Sequence, residues 1–325
     1  MIPEIAPQIA FIILGLAILL VAGDLLVRGA VGLAAALKIP ALLISLTIVA
    51  FGTSAPELVV TVQAVLSGND GIALGNIIGS NIANVFLVLG VPAMIYPVTT
   101  HVLGLRRHAV IMLIATVGFL AAAYGPGEID GRIGAALFAG ILMYVGYMWV
   151  RASTGKSEDP LLDEVEEYKE TKGVSLKTML FLAAGLIGLP AGAHLLVSHG
   201  ADLATNLGVR EELIGLTLVA FGTSLPELAT VFAAALHKKS DVAIGGVVGS
   251  NIFNILAVGG AAGLAGTAAF DTASLTLDLP VMAVAAIALA AFVLTRKDIG
   301  RVAGLIFTGA YIGFILMLAE NAGAF

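Results

Sequence analysis

One stretch of this sequence is written twice. Residues 43–90 align with residues 213–260 without a gap, at a constant offset of 170, and 24 of the 48 aligned positions are identical. LTIVAFGTSAPEL pairs with LTLVAFGTSLPEL, and IIGSNIANV pairs with VVGSNIFNI. A duplicated scaffold needs only matching hydropathy and matching small residues. It does not need the same glutamate, threonine, serine and asparagine in both copies. The chain is therefore expected to fold as two like halves that each bring the same polar cluster to one site.

The rest of the sequence sets the medium. Of 325 residues, 59% are hydrophobic and 12% charged, and the mean hydropathy is +1.04, against about 45–50% apolar residues in an average soluble domain. Runs of about 20 apolar residues, the length that crosses a bilayer as a helix, fill most of the chain. Hydropathy and breakers together give ten membrane helices, at about 5–27, 41–66, 71–95, 108–125, 130–150, 178–198, 211–236, 242–266, 277–295 and 301–320. The first run lacks the basic flank and cleavage site of a signal peptide and reads as a membrane helix. The one long polar segment, 151–177, separates a first repeat (1–150) from a second (178–325), five helices each, and is read as a cytoplasmic linker.

An odd number of spans per half makes the two halves enter the membrane in opposite senses. Loop charges test this, because cytoplasmic loops are enriched in Lys and Arg. With both termini outside, 14 of the 16 basic residues fall on the inner side, all except Arg132 and Arg210. The expected fold class is thus an all-α membrane protein of two inverted-topology five-helix repeats, N-out and C-out, in a prokaryotic inner membrane. A monomer surrounded by lipid is expected to suffice.

Several chemistries are excluded. The chain has no cysteine, so thiolate metal sites and cysteine nucleophiles are absent. No basic stripe interleaved with aromatics suggests nucleic acid. The net charge of −6 comes largely from the loop at 157–170, where Asp159, Asp163, Glu164, Glu166 and Glu167 lack the spacing and glycine of an EF-hand and read as a solvated linker. The spans contain no Ser/His dyad, His-rich metal site or paired aspartyl motif, so no enzyme and no resident cofactor are expected.

Each half interrupts an apolar run with Gly-Thr-Ser-x-Pro-Glu, at 52–57 and 222–227. Pro56 and Pro226 lack an N–H and disfavour helix at the preceding residue, so each helix should break there. A break frees carbonyls, which at membrane depth are tolerated only inside protein or beside a wet cavity. Ala50 and Ala220 are the candidate carbonyl donors. Glu57 and Glu227 lie deep in their spans, where ionisable groups cost about 2.5–3.5 kcal/mol and mark ion or proton pathways. Neither has a cationic partner in its own span. Two carboxylates brought together without Lys or Arg repel each other unless a cation sits between them or one is protonated.

The oxygen inventory points to a hard cation. Calcium takes six to eight oxygens at about 2.3–2.6 Å. Glu57 and Glu227, the hydroxyls of Thr53, Ser54, Thr223 and Ser224, and the freed carbonyls can supply them. The following helices add Ser80, Asn81 and Asn84, matched by Ser250, Asn251 and Asn254. The asparagines, three apart within each pair, can face one way on a helix; they either reach the ion or cap the broken helices. No His or Cys joins the cluster, which disfavours zinc, copper and iron. One calcium, sodium ions or protons could each neutralise the same carboxylates, and mutually exclusive occupancy is what an antiporter needs. Elsewhere, Asp24 and Arg28 are read as an ion pair, and His194 and His199 as residues near the outer end of the sixth helix.

At these residues the chain resembles the sodium/calcium exchanger family of the cation/calcium antiporter superfamily, in its compact prokaryotic ten-helix form. GTSAPEL with GNIIGSNIAN and GTSLPEL with GGVVGSNIFN are similar to that family's two alpha repeats. The resemblance implies calcium:sodium antiport by alternating access at a midplane site. It implies calcium binding by Glu57, Glu227, Thr53 and Thr223. Sodium sites would involve Ala50, Ser54, Ser80, Ala220, Ser224 and Ser250 with the same glutamates, supported by Asn81, Asn84, Asn251, Asn254, Pro56 and Pro226. Potassium-dependent relatives carry an aspartate where Asn254 stands, so the neutral Asn84 and Asn254 imply potassium-independent exchange. The alternatives are calcium:proton antiport on the same fold and, from a different class, a cation channel or a non-transporting membrane scaffold.

Overall fold

A computed structural model describes residues 2–153, 174–206, 220–272 and 274–321. The protein is predominantly helical and built for a membrane. Helix α1 spans Ile2–Leu37. It was expected to end near residue 27 and runs ten residues further. The reason is local pairing: Arg28 Nε sits 2.9 Å from Asp24 Oδ2 one turn back, so the polar residues taken as the end of the apolar run are satisfied within the helix. The helix stops only where Lys38 adopts φ 56° and Pro40 takes an extended conformation.

Helix α2 (Ala41–Thr53) and helix α3 (Ala55–Leu66) are the two pieces of one span, bent by 44° at Ser54. Helix α4 covers Asp70–Ile95, α5 Leu105–Tyr124 and α6 Gly131–Arg151. The second half follows the same plan: α7 (Leu176–Asn206), α8 (Ala220–Thr223), α9 (Leu225–Leu236), α10 (Ser240–Ala265), α11 (Ser274–Thr295) and α12 (Arg301–Asn321). Helix α7 was expected over 178–198. Its extension leaves His194 and His199 inside the helix rather than at its end, and the His199 ring stacks on Phe11 of α1 with centroids 4.4 Å apart.

By length and composition, eight described helices can each cross a membrane, and the bent α2–α3 pair makes a ninth span. The tenth expected span, 211–236, is described only from Ala220 onward. It repeats the break of the first half, with α9 starting 170 residues after α3. Most of the linker also lies outside the described residues.

Burial sorts the helices into layers. The apolar window of α10 is 100% buried and that of α4 78%, whereas α1, α6, α7 and α12 are each 28% buried. The two repeat-bearing helices therefore form the centre, and large apolar side chains such as Ile13, Leu142 and Val302 cover the outside. Lipid is as apolar as a protein core, so an outward face of this kind is satisfied in a bilayer. Residues of both halves share one core: Leu46, Ile77 and Val88 belong to the same buried cluster as Val247, Ile252 and Leu289.

Both central helices widen to π geometry, at Asn84–Leu89 and at Asn254–Val258. Pro92 follows the first, but no proline follows the second, so proline is not the common cause. What both turns share is an asparagine as their opening residue. Wide turns of this kind recur at functional sites. Two small features departed from the purely helical expectation. Glu128–Ile129 (β1) pairs antiparallel with Ala268–Ala269 (β2), and Val98 bridges Ile299. In each case, otherwise unpaired backbone of a connecting loop is satisfied by a loop of the other half.

Candidate functional site

The helix breaks position the acidic side chains. Pro56 and Pro226 fall at the starts of α3 and α9, where a missing N–H costs nothing. Glu57 and Glu227 then occupy the first turns of those helices, where unpaired N–H groups favour negative charge. Both are almost fully buried, at 1% and 3% exposure. Ser54, three residues before Glu57, bonds Glu227 directly, and among the described residues neither acid forms an ion pair with Lys or Arg. Two acids thus meet in the protein interior without a basic partner.

The rest of the cluster closes around them. Thr53, Ser54, Ser80, Asn81, Asn84, Thr223, Ser224, Ser250, Asn251 and Asn254 are all buried. Several contacts run from one repeat to the other. Ser54 Oγ donates to Glu227 Oε1 at 3.1 Å, Thr53 Oγ1 lies 3.5 Å from Ser250 Oγ, and Asn84 Nδ2 donates to Asn251 Oδ1 at 3.1 Å. The same polar residues that made the sequence repeat conspicuous are those the fold brings together.

Many of these atoms have no donor. Both oxygens of Glu57, Oε2 of Glu227, the hydroxyls of Ser80 and Ser224, and the side-chain oxygens of Asn81, Asn84 and Asn254 are buried without a hydrogen-bond partner. An unsatisfied buried polar group costs about 1–3 kcal/mol, and more when charged. So many acceptors gathered around two carboxylates, with no basic side chain, make a donor set suited to a hard cation. No group of three His, Cys, Asp or Glu side chains occurs among the described residues, so charge comes from these two acids and the remaining ligation from neutral oxygens.

The structure revises two local expectations. The Ala50 carbonyl, expected to be free, accepts the Ser54 N–H at 3.0 Å and faces the Thr53 hydroxyl at 3.3 Å. The carbonyl that loses its partner is Gly52, since Pro56 has no N–H to return four residues back; Gly222 stands in the same relation to Pro226. The asparagines do not cap broken helices. Asn81 Nδ2 donates to the Ile77 carbonyl within continuous α4, and Asn251 sits within continuous α10.

Asn76 escaped the sequence reading. Its Nδ2 donates to the Glu57 carbonyl at 3.1 Å and to Thr61 Oγ1 at 2.8 Å, while its Oδ1 accepts from Thr223 Oγ1 at 3.3 Å. One amide therefore ties the first acidic turn to the second motif. Its repeat mate is Gly246, and the mate of Thr61 is Val231. The available signal was a polar residue in one repeat facing a small or apolar one in the other.

Helices α1 and α7 pack along each other over most of their length and close the site on one side. They touch at glycines: a Cβ on Gly192 would lie 2.9 Å from the Gly15 carbonyl oxygen. Helix α7 also covers both motifs. A Cβ on Gly52 would lie 2.1 Å from Leu186 Cδ2, and one on Gly222 would lie 2.4 Å from Val197 Cγ2. Just past the end of α9, His237 Nε2 contacts Asp24 of α1, joining the Asp24–Arg28 pair to the second half.

Known proteins share this arrangement. The family described as sodium/calcium exchanger protein matches residues 7–151 and 177–319. The chain is 33% identical over 319 residues to inner membrane protein YrbG of Escherichia coli, covering 95% of this chain and 96% of YrbG. It is 30% identical over 341 residues to sodium/calcium exchanger MaX1 of Methanosarcina acetivorans, covering 94% and 97%. Among solved structures, the sodium-calcium exchanger NCX_Mj soaked with 2.5 mM Na+ and 1 mM Sr2+ superposes with a TM-score of 0.82 at 28% identity, over 95% of this chain and 97% of that one. The apolar spans, the paired acidic motifs and these likenesses agree: this multi-pass membrane protein is a cation/calcium antiporter and belongs to the sodium/calcium exchanger family.

Proposed function

We propose that the chain exchanges calcium for sodium, with Glu57 and Glu227 holding one calcium between them. The observation that carries this is the pairing of two buried carboxylates with unpartnered neutral oxygens and no Lys or Arg. Calcium bound there neutralises both acids. Sodium ions use the same carboxylates with the hydroxyls of Ser54, Ser80, Ser224 and Ser250, so the two ions exclude each other. The wealth of hydroxyl and amide oxygens favours sodium over a proton as counter-ion, because a proton needs only a carboxylate oxygen. Asn84 and Asn254 add no charge, which favours a small complement of bound cations and no requirement for potassium.

Alternating access follows from two halves of opposite sense sharing one site. The packed pair α1 and α7 is the mobile part, sliding over motifs held by α4 and α10. No bond is made or broken in the cycle, so the chain acts as a transporter and not as an enzyme, and it needs no resident cofactor.

Calcium uptake into vesicles tests the counter-ion. A sodium gradient, with the pH gradient collapsed by an ionophore, is expected to drive uptake. Uptake that occurs only with a proton gradient assigns calcium:proton exchange instead. Flux that persists with no counter-ion gradient assigns a channel.

A further inference from the structure

We propose that the protein carries a phosphate-binding pocket, remote from the ion site, on the face to which its basic residues point. The pocket lies where the loop between α4 and α5 meets the loop between α11 and α12, and has a volume of about 350 Å³. Its walls include Arg106, Arg107, Arg296 and His101.

The fold holds this region firmly. Val98 N donates to the Ile299 carbonyl at 3.0 Å, and Ile299 N returns a bond to Val98 at 2.9 Å. Thr100 Oγ1 donates to the Lys297 carbonyl at 3.1 Å, and the His101 ring contacts the Arg296 carbonyl. Arg296 is thus carried by one of two cross-linked loops, and Arg106 and Arg107 by the helix that the other loop leads into.

Charge is concentrated there without internal compensation. Among the described residues, none of the three arginines forms an ion pair. Asp298, on the loop between α11 and α12, accepts the Thr100 N–H at 3.2 Å, lies 3.9 Å from His101, and does not line the pocket. Arg106 and Arg107 also occupy the first turn of α5, which has no acidic residue, and Gly104 before it offers no side-chain cap. Basic residues at a helix start oppose the helix dipole. Membrane topology accounts for basic residues in such a loop, but not for three arginines lining one cavity, two of them at an uncapped helix start.

Guanidinium forks pair bidentately with phosphate oxygens, and several around one cavity make a phosphate-selective cluster. The group could belong to an anionic phospholipid headgroup or to free phosphate. Leu103, a wall residue 39% exposed, puts an apolar side chain beside the charged cavity, as an acyl chain below a headgroup would require.

The test uses the full chain and the triple variant Arg106→Gln, Arg107→Gln, Arg296→Gln. Native mass spectrometry reads retention of phosphatidylglycerol against phosphatidylcholine, and thermal unfolding reads protection by inorganic phosphate. Calcium exchange in phosphatidylcholine liposomes, expected to be unchanged, reports that the variant is folded, with Arg296→Gln alone as the fallback if it is not. Retention of phosphatidylglycerol about tenfold higher on the wild type than on the variant supports the lipid source. Protection by phosphate that the variant loses, without lipid retention, supports the soluble source. Wild type and a folded variant that behave alike towards both probes overturn the pocket.

Discussion

Ser54, in the first repeat, donates a hydrogen bond to Glu227 of the second at 3.1 Å. Its repeat mate Ser224 has no partner, and neither oxygen of Glu57 accepts a bond. Duplicated residues thus do unequal work: one acid is held by a hydroxyl from the other half, while its twin stands free to meet an ion.

That inequality sets the first prediction. Ser54→Ala removes a hydrogen bond to a charged group, worth about 1.5–3 kcal/mol, and should weaken apparent calcium affinity about tenfold. Ser224→Ala removes no such bond and should cost less. Calcium titrations of exchange rate on the two variants check this; equal losses would contradict the unequal roles.

Asn76 should act through its neighbours. Asn76→Gly, which copies the second repeat, leaves Thr223 without its acceptor and the Glu57 turn without its brace. Partners that orient ligating groups typically contribute about 10–100-fold in affinity, so calcium KM should rise about tenfold while the saturated rate changes little. A fall in the saturated rate at unchanged KM would instead indicate a role in motion.

Gly52 should resist enlargement for a reason that can be reversed. A methyl group there collides with Leu186 of α7, and overpacking of this kind costs about 1–3 kcal/mol. Gly52→Ala should lower thermal stability and exchange, and adding Leu186→Ala should restore much of both. Failure of the second change to restore either would place the defect in the backbone of the motif.

A lock can test the moving pair. The chain has no native cysteine, and a Cβ on Gly188 would lie 2.8 Å from Ala22 Cβ. A disulfide between Ala22→Cys and Gly188→Cys, after the small separation that its geometry requires, fastens α1 to α7. If the two helices move as a unit, the oxidised protein should exchange calcium within about twofold of the reduced one. Loss of exchange on oxidation alone would mean that they shift against each other.

The candidate site was legible because both copies of the motif keep Thr, Ser, Pro and Glu where hydropathy needs none of them. Buried Glu57 and Glu227 are where that reading put them. Asn76 was not legible for the same reason, since symmetry draws attention only to what is repeated. The end of α1 was misjudged because the apolar run stops near Arg28: that residue pairs with Asp24 one turn back, as expected, and α1 continues past it. The hydrogen bonding of the break was not legible in detail: the missing N–H of Pro56 leaves the Gly52 carbonyl without its helical donor, while the Ala50 carbonyl keeps the Ser54 N–H. The wide turns at Asn84 and Asn254 were not legible, because hydropathic periodicity does not distinguish π from α geometry.

Equilibrium binding of radioactive calcium to the purified protein, titrated with sodium, addresses the joint role of the two acids most directly. Glu57→Gln and Glu227→Gln should each weaken calcium binding about a hundredfold or more, the cost of about 3 kcal/mol or more expected when one of two facing charged partners is removed from a buried site. Sodium should displace calcium from the wild type. Either variant binding calcium with wild-type affinity, or calcium held undisturbed by saturating sodium, would contradict a single site shared by both halves.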